Sequence, residues 1–151
     1  METAAPWYAV YPAPKHDQPL AFTPSQVLNM LQDSGSRPKG GFLLVDLRRN
    51  DHDGGTIRGS INLPAQSLYH SIPTLYSTFK AAGINTIIWY CGSSRGRGNR
   101  AAGWFADHIV DQGDSEMESV VLQGGINGWV AAGEEYTKWM DGYDATKWAQ
   151  D

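Results

Sequence analysis

Three short, largely apolar runs divide this chain of 151 residues and restrict what it can fold into. They cover residues 41–46, 86–90 and 119–122. Their apolar side chains stand at consecutive positions, which is typical of strands covered on both faces in a parallel sheet. Helix-compatible segments, 66–80 and 99–111, separate the runs. Alternating strands and helices predict an α/β domain with a mainly parallel sheet.

Prolines and capping residues organise the first part of the chain. Four prolines within residues 1–20 exclude a long helix there, so this segment is predicted to form a Pro-rich arm. Thr23 and Gln26 have the spacing of a capping box around Pro24, a residue suited to the first helical turn. These residues predict a helix that runs to about Gln32.

Length and composition allow one ordinary domain. With 41% hydrophobic residues the chain can bury one core, which we place at 21–140 and follow with a C-terminal tail at 141–151. A net charge of −4 disfavours nucleic acid and anionic membranes as partners. No apolar run approaches the ~20 residues that span a bilayer, and no secretory leader pattern is visible. We expect a cytoplasmic protein, with the nucleus as an alternative, and the oligomeric state stays open.

The chain has a single cysteine, Cys91. One cysteine excludes an intramolecular disulfide and a cysteine-rich metal site. The four histidines lack the spacing of metal ligands, so neither a metal nor a bound cofactor is expected. A lone cysteine after an apolar strand is often a small buried hydrophobe, and Cys91 alone leaves that interpretation open.

The residues after Cys91 favour chemistry on its sulfur. Arg97 stands six positions later, and the loop between the two contains little core material. A loop from the carboxyl end of a strand to a helix N-terminus turns backbone N–H groups toward one spot, where they can hold a tetrahedral anion. The partial positive charge of these N–H groups also favours the thiolate form of Cys91. The guanidinium of Arg97 can bind two phosphate-like oxygens at once. The predicted anion-binding residues of the loop are Gly92, Ser93, Ser94, Arg95 and Gly96.

Four motifs, in order, resemble a rhodanese-like domain over about residues 40–131. They lie at 45–48, at 54–64, at Tyr90-Cys91 with the loop that follows, and at 122–129. The resemblance implies a five-stranded parallel sheet flanked by helices on both faces. The Cys-x5-Arg loop is similar to that of cell-division-cycle phosphatases and fungal-type arsenate reductases, whereas sulfurtransferases of the family have a shorter loop.

The resemblance implies a cysteine-dependent enzyme that hydrolyses phosphomonoesters, of the protein-tyrosine or dual-specificity type, or reduces arsenate. Cys91 would attack phosphorus or arsenic while Arg97 and the loop hold the oxygens, with Asp46 and Arg48 in supporting roles. Arsenate reduction would need an external thiol such as glutathione or a glutaredoxin, because the chain has no second cysteine. Two alternatives stay open: a sulfurtransferase that forms a persulfide on Cys91, and a non-catalytic binding module.

The chain departs from the family pattern at two positions and lacks an evident general acid. Tyr90 and Thr56 stand where relatives often have histidine. Gly92 cannot protonate a leaving group, so a general acid would have to come from outside the loop. The candidates, each of which is also typical of a solvated surface charge, are Asp51, Asp53, Glu116 and Glu118.

Overall fold

The fold is built around a parallel sheet. The computed structural model describes residues 5–32 and 41–149, so the ends of the predicted arm (1–4) and tail (150–151) lie outside the described residues. Five parallel strands follow the order β1-β6-β5-β2-β4, and β3 pairs with β7 in a small antiparallel ladder. This architecture confirms the predicted sheet. The strands are β1 Leu20–Phe22, β2 Gly41–Asp46, β3 Thr56–Ile57, β4 Ile61–Asn62, β5 Ile84–Tyr90, β6 Glu118–Leu122 and β7 Met140–Asp141.

The helix predicted over 66–80 is the one element whose course differs clearly from expectation. Two short 3-10 turns, Ala65–Ser67 and Tyr69–Ser71, precede a helix that begins at Ile72. Pro73 fixes that start, because proline lacks an N–H and is tolerated only in the first turn of a helix. The helices are α1 Pro24–Gln32, α2 Ile72–Ala81, α3 Arg97–Asp111, α4 Gly125–Ala131, α5 Glu134–Thr137 and α6 Ala145–Trp148, and a further 3-10 turn spans Trp7–Val10.

Helices cover both faces of the sheet and divide the core into two layers. On one face, side chains of α2 and α3 pack against Ile87 and Trp89 of β5. On the other face, side chains of α1 and α4 pack against Ile88 and Tyr90. Successive residues of a strand point to opposite faces, so both layers draw on the same consecutive apolar run. Cys91, the next residue, belongs to the layer of α2 and α3.

The predicted capping box holds the start of α1. The backbone N–H of Thr23 donates to Gln26 Oε1 at 2.8 Å, and the N–H of Gln26 donates to Thr23 Oγ1 at 3.2 Å. Two backbone donors at the helix start are thereby satisfied.

The carboxyl ends of β2 and β5 meet at one edge of the sheet. Asp46 lies opposite Tyr90 in the register of the two strands, and the N–H of Leu47 donates to the Tyr90 carbonyl at 2.8 Å. The loops that follow these strands therefore face each other, as the predicted parallel sheet requires.

The two ends of the described chain pack against different parts of the fold. Trp104 of α3 donates its indole N–H to the Pro12 carbonyl at 2.8 Å, so the N-terminal arm is anchored on the helix that begins at Arg97. At the other end, Trp148 of α6 donates its indole N–H to the Gly54 carbonyl at 2.9 Å. The arm thus contacts the middle of α3, whereas α6 lies beside the loop after β2.

Candidate active site

Cys91 begins the loop between β5 and α3, and the residue is only 2% exposed. The backbone N–H of Ser94 donates to its sulfur at 3.1 Å, and the N–H of Gly98 does so at 3.4 Å. A thiol that merely fills a core gap needs no such donors. The loop thus wraps around Cys91 Sγ and directs N–H dipoles at it.

Ser94 and Gly98 fix the tight course of the loop. Ser94 has a φ of +63°, a left-handed conformation that is uncommon for a residue other than glycine. It is nevertheless buried, and its hydroxyl accepts the Cys91 N–H at 3.4 Å. A Cβ at Gly98 would lie 3.0 Å from the Ser94 Cβ, so a larger residue there would push the loop apart. Strained backbone of this kind is characteristic of sites where a geometry is imposed for function.

Several loop N–H groups are available to a ligand. The backbone N–H groups of Gly92, Ser93, Gly96 and Arg97 find no acceptor among the residues that the structure describes. Ser93 and Gly96 are exposed, and Gly92 and Arg97 are half-buried. Unpaired donors at the start of a helix are the groups that bind oxyanions in proteins.

Arg95 is the predicted loop residue that carries an exposed, unpaired charge. Its side chain is exposed and forms no hydrogen bond or ion pair with other described residues. Its backbone contributes locally, since its carbonyl accepts Asn99 Nδ2 at 3.3 Å. The predicted anion-binding role of the Arg95 side chain therefore stays a prediction.

Arg97 holds a carboxylate with both arms of its guanidinium. Nη1 donates to Asp51 Oδ1 at 2.9 Å and Nη2 to Asp51 Oδ2 at 2.6 Å. The hydrogen bonds from Arg97 lower the pKa of Asp51 to about 2. The pKa of Arg97 is raised, mainly by its hydrogen bonds to Asp51. The guanidinium lies beside the start of the loop, since a Cβ at Gly92 would stand 3.8 Å from Arg97 Nη2.

Asp46 and Arg48 form a buried pair beneath the loop after β2. Arg48 Nη2 donates to Asp46 Oδ2 at 2.7 Å, and both side chains are 2% exposed or less. The Arg48 guanidinium also donates to the Gly55 carbonyl at 2.8 Å, and His52 Nε2 lies 3.3 Å from Asp46 Oδ2. The pair therefore ties the loop to the sheet, in keeping with the supporting role predicted for both residues.

The two departures from the family pattern contact each other. Tyr90 points to the face opposite Cys91, and its hydroxyl lies 2.8 Å from Thr56 Oγ1 and 2.7 Å from Ser60 Oγ. Thr56 in turn donates to Asp46 Oδ2 at 2.8 Å. Burial raises the pKa of Tyr90, so its hydroxyl stays neutral and acts as a hydrogen-bonding link. Tyr90 and Thr56 thus connect β5, the strand that leads into Cys91, to the Asp46–Arg48 pair.

Residues before and within α4 support the loop, a role that the sequence analysis missed. The N–H groups of Ile126 and Asn127 donate to the carbonyls of Cys91 and Gly92 at 3.0 and 2.9 Å. Gly125, at a φ of +60°, passes so close that a Cβ would lie 2.5 Å from both carbonyl oxygens. The consecutive glycines 124 and 125 were the available signal, because they mark a close approach between backbones.

A polar pocket of about 390 Å³ adjoins the loop at Gly92. Its polar lining includes Asp51, Asp53, Asn127 and Lys147. Lys147 Nζ lies 3.5 Å from Asp53 Oδ2, which closes this side of the pocket with α6. The space suits a small polar ligand or the polar leaving group of a larger one.

The candidate general acids separate into two groups. Glu118 lies beside Thr86 in the sheet, about 16 Å along the strand direction from Cys91, and Glu116 precedes it. Neither acid can reach the site, because both stand at the amino ends of the strands. Asp51 and Asp53 do border the pocket, but Asp51 is ionised at neutral pH while Arg97 holds it.

The sequence matches a model of the rhodanese-like domain over residues 23–132. The chain belongs to the rhodanese-like family. The matched span starts at α1 and ends just after α4, so it includes all of the loop from Cys91 to Arg97.

Known proteins resemble this rhodanese-like domain in sequence and in fold. It is 30% identical over 95 residues to arsenical-resistance protein 2 of Saccharomyces cerevisiae, which covers 58% of this chain and 73% of the yeast protein. The structure of yeast Ygr203w, a homolog of single-domain rhodanese and the Cdc25 phosphatase catalytic domain, matches with a TM-score of 0.71 and 22% identity, covering 85% of this chain and 91% of that one. The As–Sb reductase of Leishmania major matches with a TM-score of 0.69 and 24% identity, covering 80% of this chain and 84% of that one. At these identities the two structures show the fold.

No metal centre or membrane span is found in this rhodanese-like domain within residues 5–32 and 41–149. No three side chains of the metal-binding types His, Cys, Asp and Glu are grouped there so as to hold an ion. No helix in that part of the chain has the length and apolar character needed to cross a bilayer.

Proposed function

We propose that this rhodanese-like domain is a cysteine-dependent enzyme that acts on a tetrahedral oxyanion, either the phosphoryl group of a monoester or arsenate. The names of two relatives, an arsenical-resistance protein and an As–Sb reductase, support this choice of substrate class. The observation that carries the proposal is the bidentate contact between Arg97 and Asp51. The guanidinium at the end of the Cys91 loop, close to Gly92, already binds an anion through two oxygens.

In the proposed reaction, the Cys91 thiolate attacks the central atom of the oxyanion. Arg97 and the unpaired N–H groups of the loop bind the equatorial oxygens, where negative charge develops in the transition state. The loop N–H donors are fixed by the backbone of the loop and by α4, so these groups need little reorganisation when the substrate arrives. Fixed donors of this kind supply a large part of the rate enhancement in comparable sites.

The two substrate classes diverge after the first step. With a phosphate ester, an S–P bond forms, the P–O bond to the leaving group breaks, and water then hydrolyses the phosphocysteine to phosphate and the thiol. With arsenate, an S–As bond forms with loss of water. A second thiol then attacks the Cys91 sulfur, so that the S–As electron pair passes to arsenic, arsenite leaves and a mixed disulfide forms. That thiol comes from outside, and we propose glutathione or a glutaredoxin as its source.

Three assays run in parallel on the purified protein test this proposal. We expect turnover of an aryl phosphate, or of arsenate in the presence of glutathione and glutaredoxin, and little turnover of thiosulfate with cyanide. The reason is that the loop supplies a guanidinium and several N–H donors for a charged tetrahedral group. Turnover of thiosulfate alone, with a persulfide on Cys91 detected by mass spectrometry, would support the sulfurtransferase alternative instead. Absence of turnover in all three would support a binding module.

A further inference from the structure

The Asp51–Arg97 contact resembles the contact that an oxyanion substrate would make with Arg97. Two carboxylate oxygens take the two guanidinium N–H positions that a phosphoryl or arsenyl group would use. We propose that Asp51 is a built-in competitor of the substrate, which occupies Arg97 until an oxyanion displaces it and so sets the affinity of the site. This inference rests on the proposed oxyanion function of the same loop.

The chain presents the Asp51 carboxylate to Arg97 in a defined way. The N–H of Arg49 donates to Asp51 Oδ1 at 3.1 Å. The Asp51 carbonyl accepts Arg48 Nη1 at 3.4 Å, and Arg48 itself is anchored in the core by Asp46. The buried Asp46–Arg48 pair, which ties this loop to the sheet, therefore also positions the Asp51 carboxylate.

The contact is also built to open. The Asp51 side chain is 50% exposed and that of Arg97 is 23% exposed. A carboxylate with half of its surface in water can rotate into solvent, and the guanidinium that it leaves is itself partly exposed. The neighbouring basic side chains do not pair with Asp51. Lys147 contacts Asp53, and His52 contacts Asp46.

Competition of this kind weakens the apparent affinity for every anion that needs Arg97. If the pair is closed about nine-tenths of the time, only one-tenth of the molecules present a free guanidinium, and the apparent Kd is raised about tenfold. A displaced Asp51 also remains beside the pocket and repels a dianion. Removing its charge should therefore tighten anion binding, which is the opposite of what loss of a substrate-binding residue does.

Titration calorimetry with tungstate, a non-reacting tetrahedral dianion, tests the inference. We expect Asp51→Asn to lower the Kd for tungstate by about five- to tenfold relative to the wild type. Asp53→Asn is the matched control, because Asp53 borders the same pocket and carries the same charge but pairs with Lys147. It should change the Kd by less than about twofold, a weak effect typical of an exposed charge.

The outcomes separate this inference from the proposed function. An unchanged or weaker Kd in Asp51→Asn, or equal tightening in the Asp53→Asn control, would overturn the inference even if the wild type turns over its substrate. Tighter tungstate binding in Asp51→Asn alone would support it even if no substrate were turned over. If Asp51 only steadied the loop, the variant would lower the Tm and weaken tungstate binding. If neither the wild type nor Asp51→Asn binds tungstate, the inference is also overturned.

Discussion

Cys91→Ser is expected to reduce turnover of arsenate and of an aryl phosphate by at least about 10³-fold. A serine hydroxyl is a far weaker nucleophile than a thiolate, and no base that could activate it contacts position 91 among the described residues. The chain offers no second cysteine to take over the reaction. The measurement is kcat/KM for both substrates with the wild type and the variant.

The same variant should keep its fold and its ability to bind anions. Serine is close to cysteine in size, and its oxygen can accept the N–H groups of Ser94 and Gly98 that contact the sulfur. We therefore expect a Tm close to that of the wild type and a Kd for tungstate within a few-fold of it. Turnover in Cys91→Ser within tenfold of the wild type would exclude Cys91 as the nucleophile.

Gly125→Ala is expected to remove most of the activity and to lower the free energy of unfolding by about 3 kcal/mol or more. The new Cβ would lie 2.5 Å from the carbonyl oxygens of Cys91 and Gly92, and the φ of +60° adds backbone strain. To relieve the clash, the loop must move away from α4, which displaces the N–H groups that donate to the Cys91 sulfur. Chemical denaturation and kcat/KM measure the two effects.

Gly113→Ala is the matched control for this variant. Gly113 also has a left-handed backbone, with a φ of +67°, but a Cβ there would meet no atom within 4 Å. Only the strain remains, so we expect a loss of about 1 kcal/mol and unchanged kcat/KM. Equal loss of activity in the two variants would show that the contact of Gly125 with the loop does not matter for catalysis.

The elements that local patterns specify were predictable from the sequence. Consecutive apolar residues predicted β2, β5 and β6, and the capping residues at Thr23 and Gln26 predicted the start of α1. The family resemblance supplied the remaining strands of the parallel sheet. The placement of Asp46 and Cys91 at one edge followed from that topology.

Contacts between distant segments were not predictable in the same way. Nothing in the residues around Asp51 indicates that its carboxylate meets Arg97, 46 positions later, because the pairing depends on how two loops face each other. Tyr90 and Thr56 looked like independent departures from the family pattern, yet they share a hydrogen bond. Pro73 could have indicated from the sequence that the helix predicted at 66–80 begins later. By contrast, the sequence does not show which carbonyl groups a side chain at Gly125 would meet, because they belong to a distant loop.

Alkylation of Cys91 by iodoacetamide, with and without tungstate, tests the central claim most directly. The chain has one cysteine, so the mass gained on alkylation reports on this site alone. We predict one reactive thiol whose alkylation slows saturably as tungstate is added, because the anion would occupy the loop around the sulfur. Nitrate at equal ionic strength serves as the control and should leave the rate unchanged. A thiol that is unreactive in the folded protein, or a rate that does not depend on tungstate, would contradict the account.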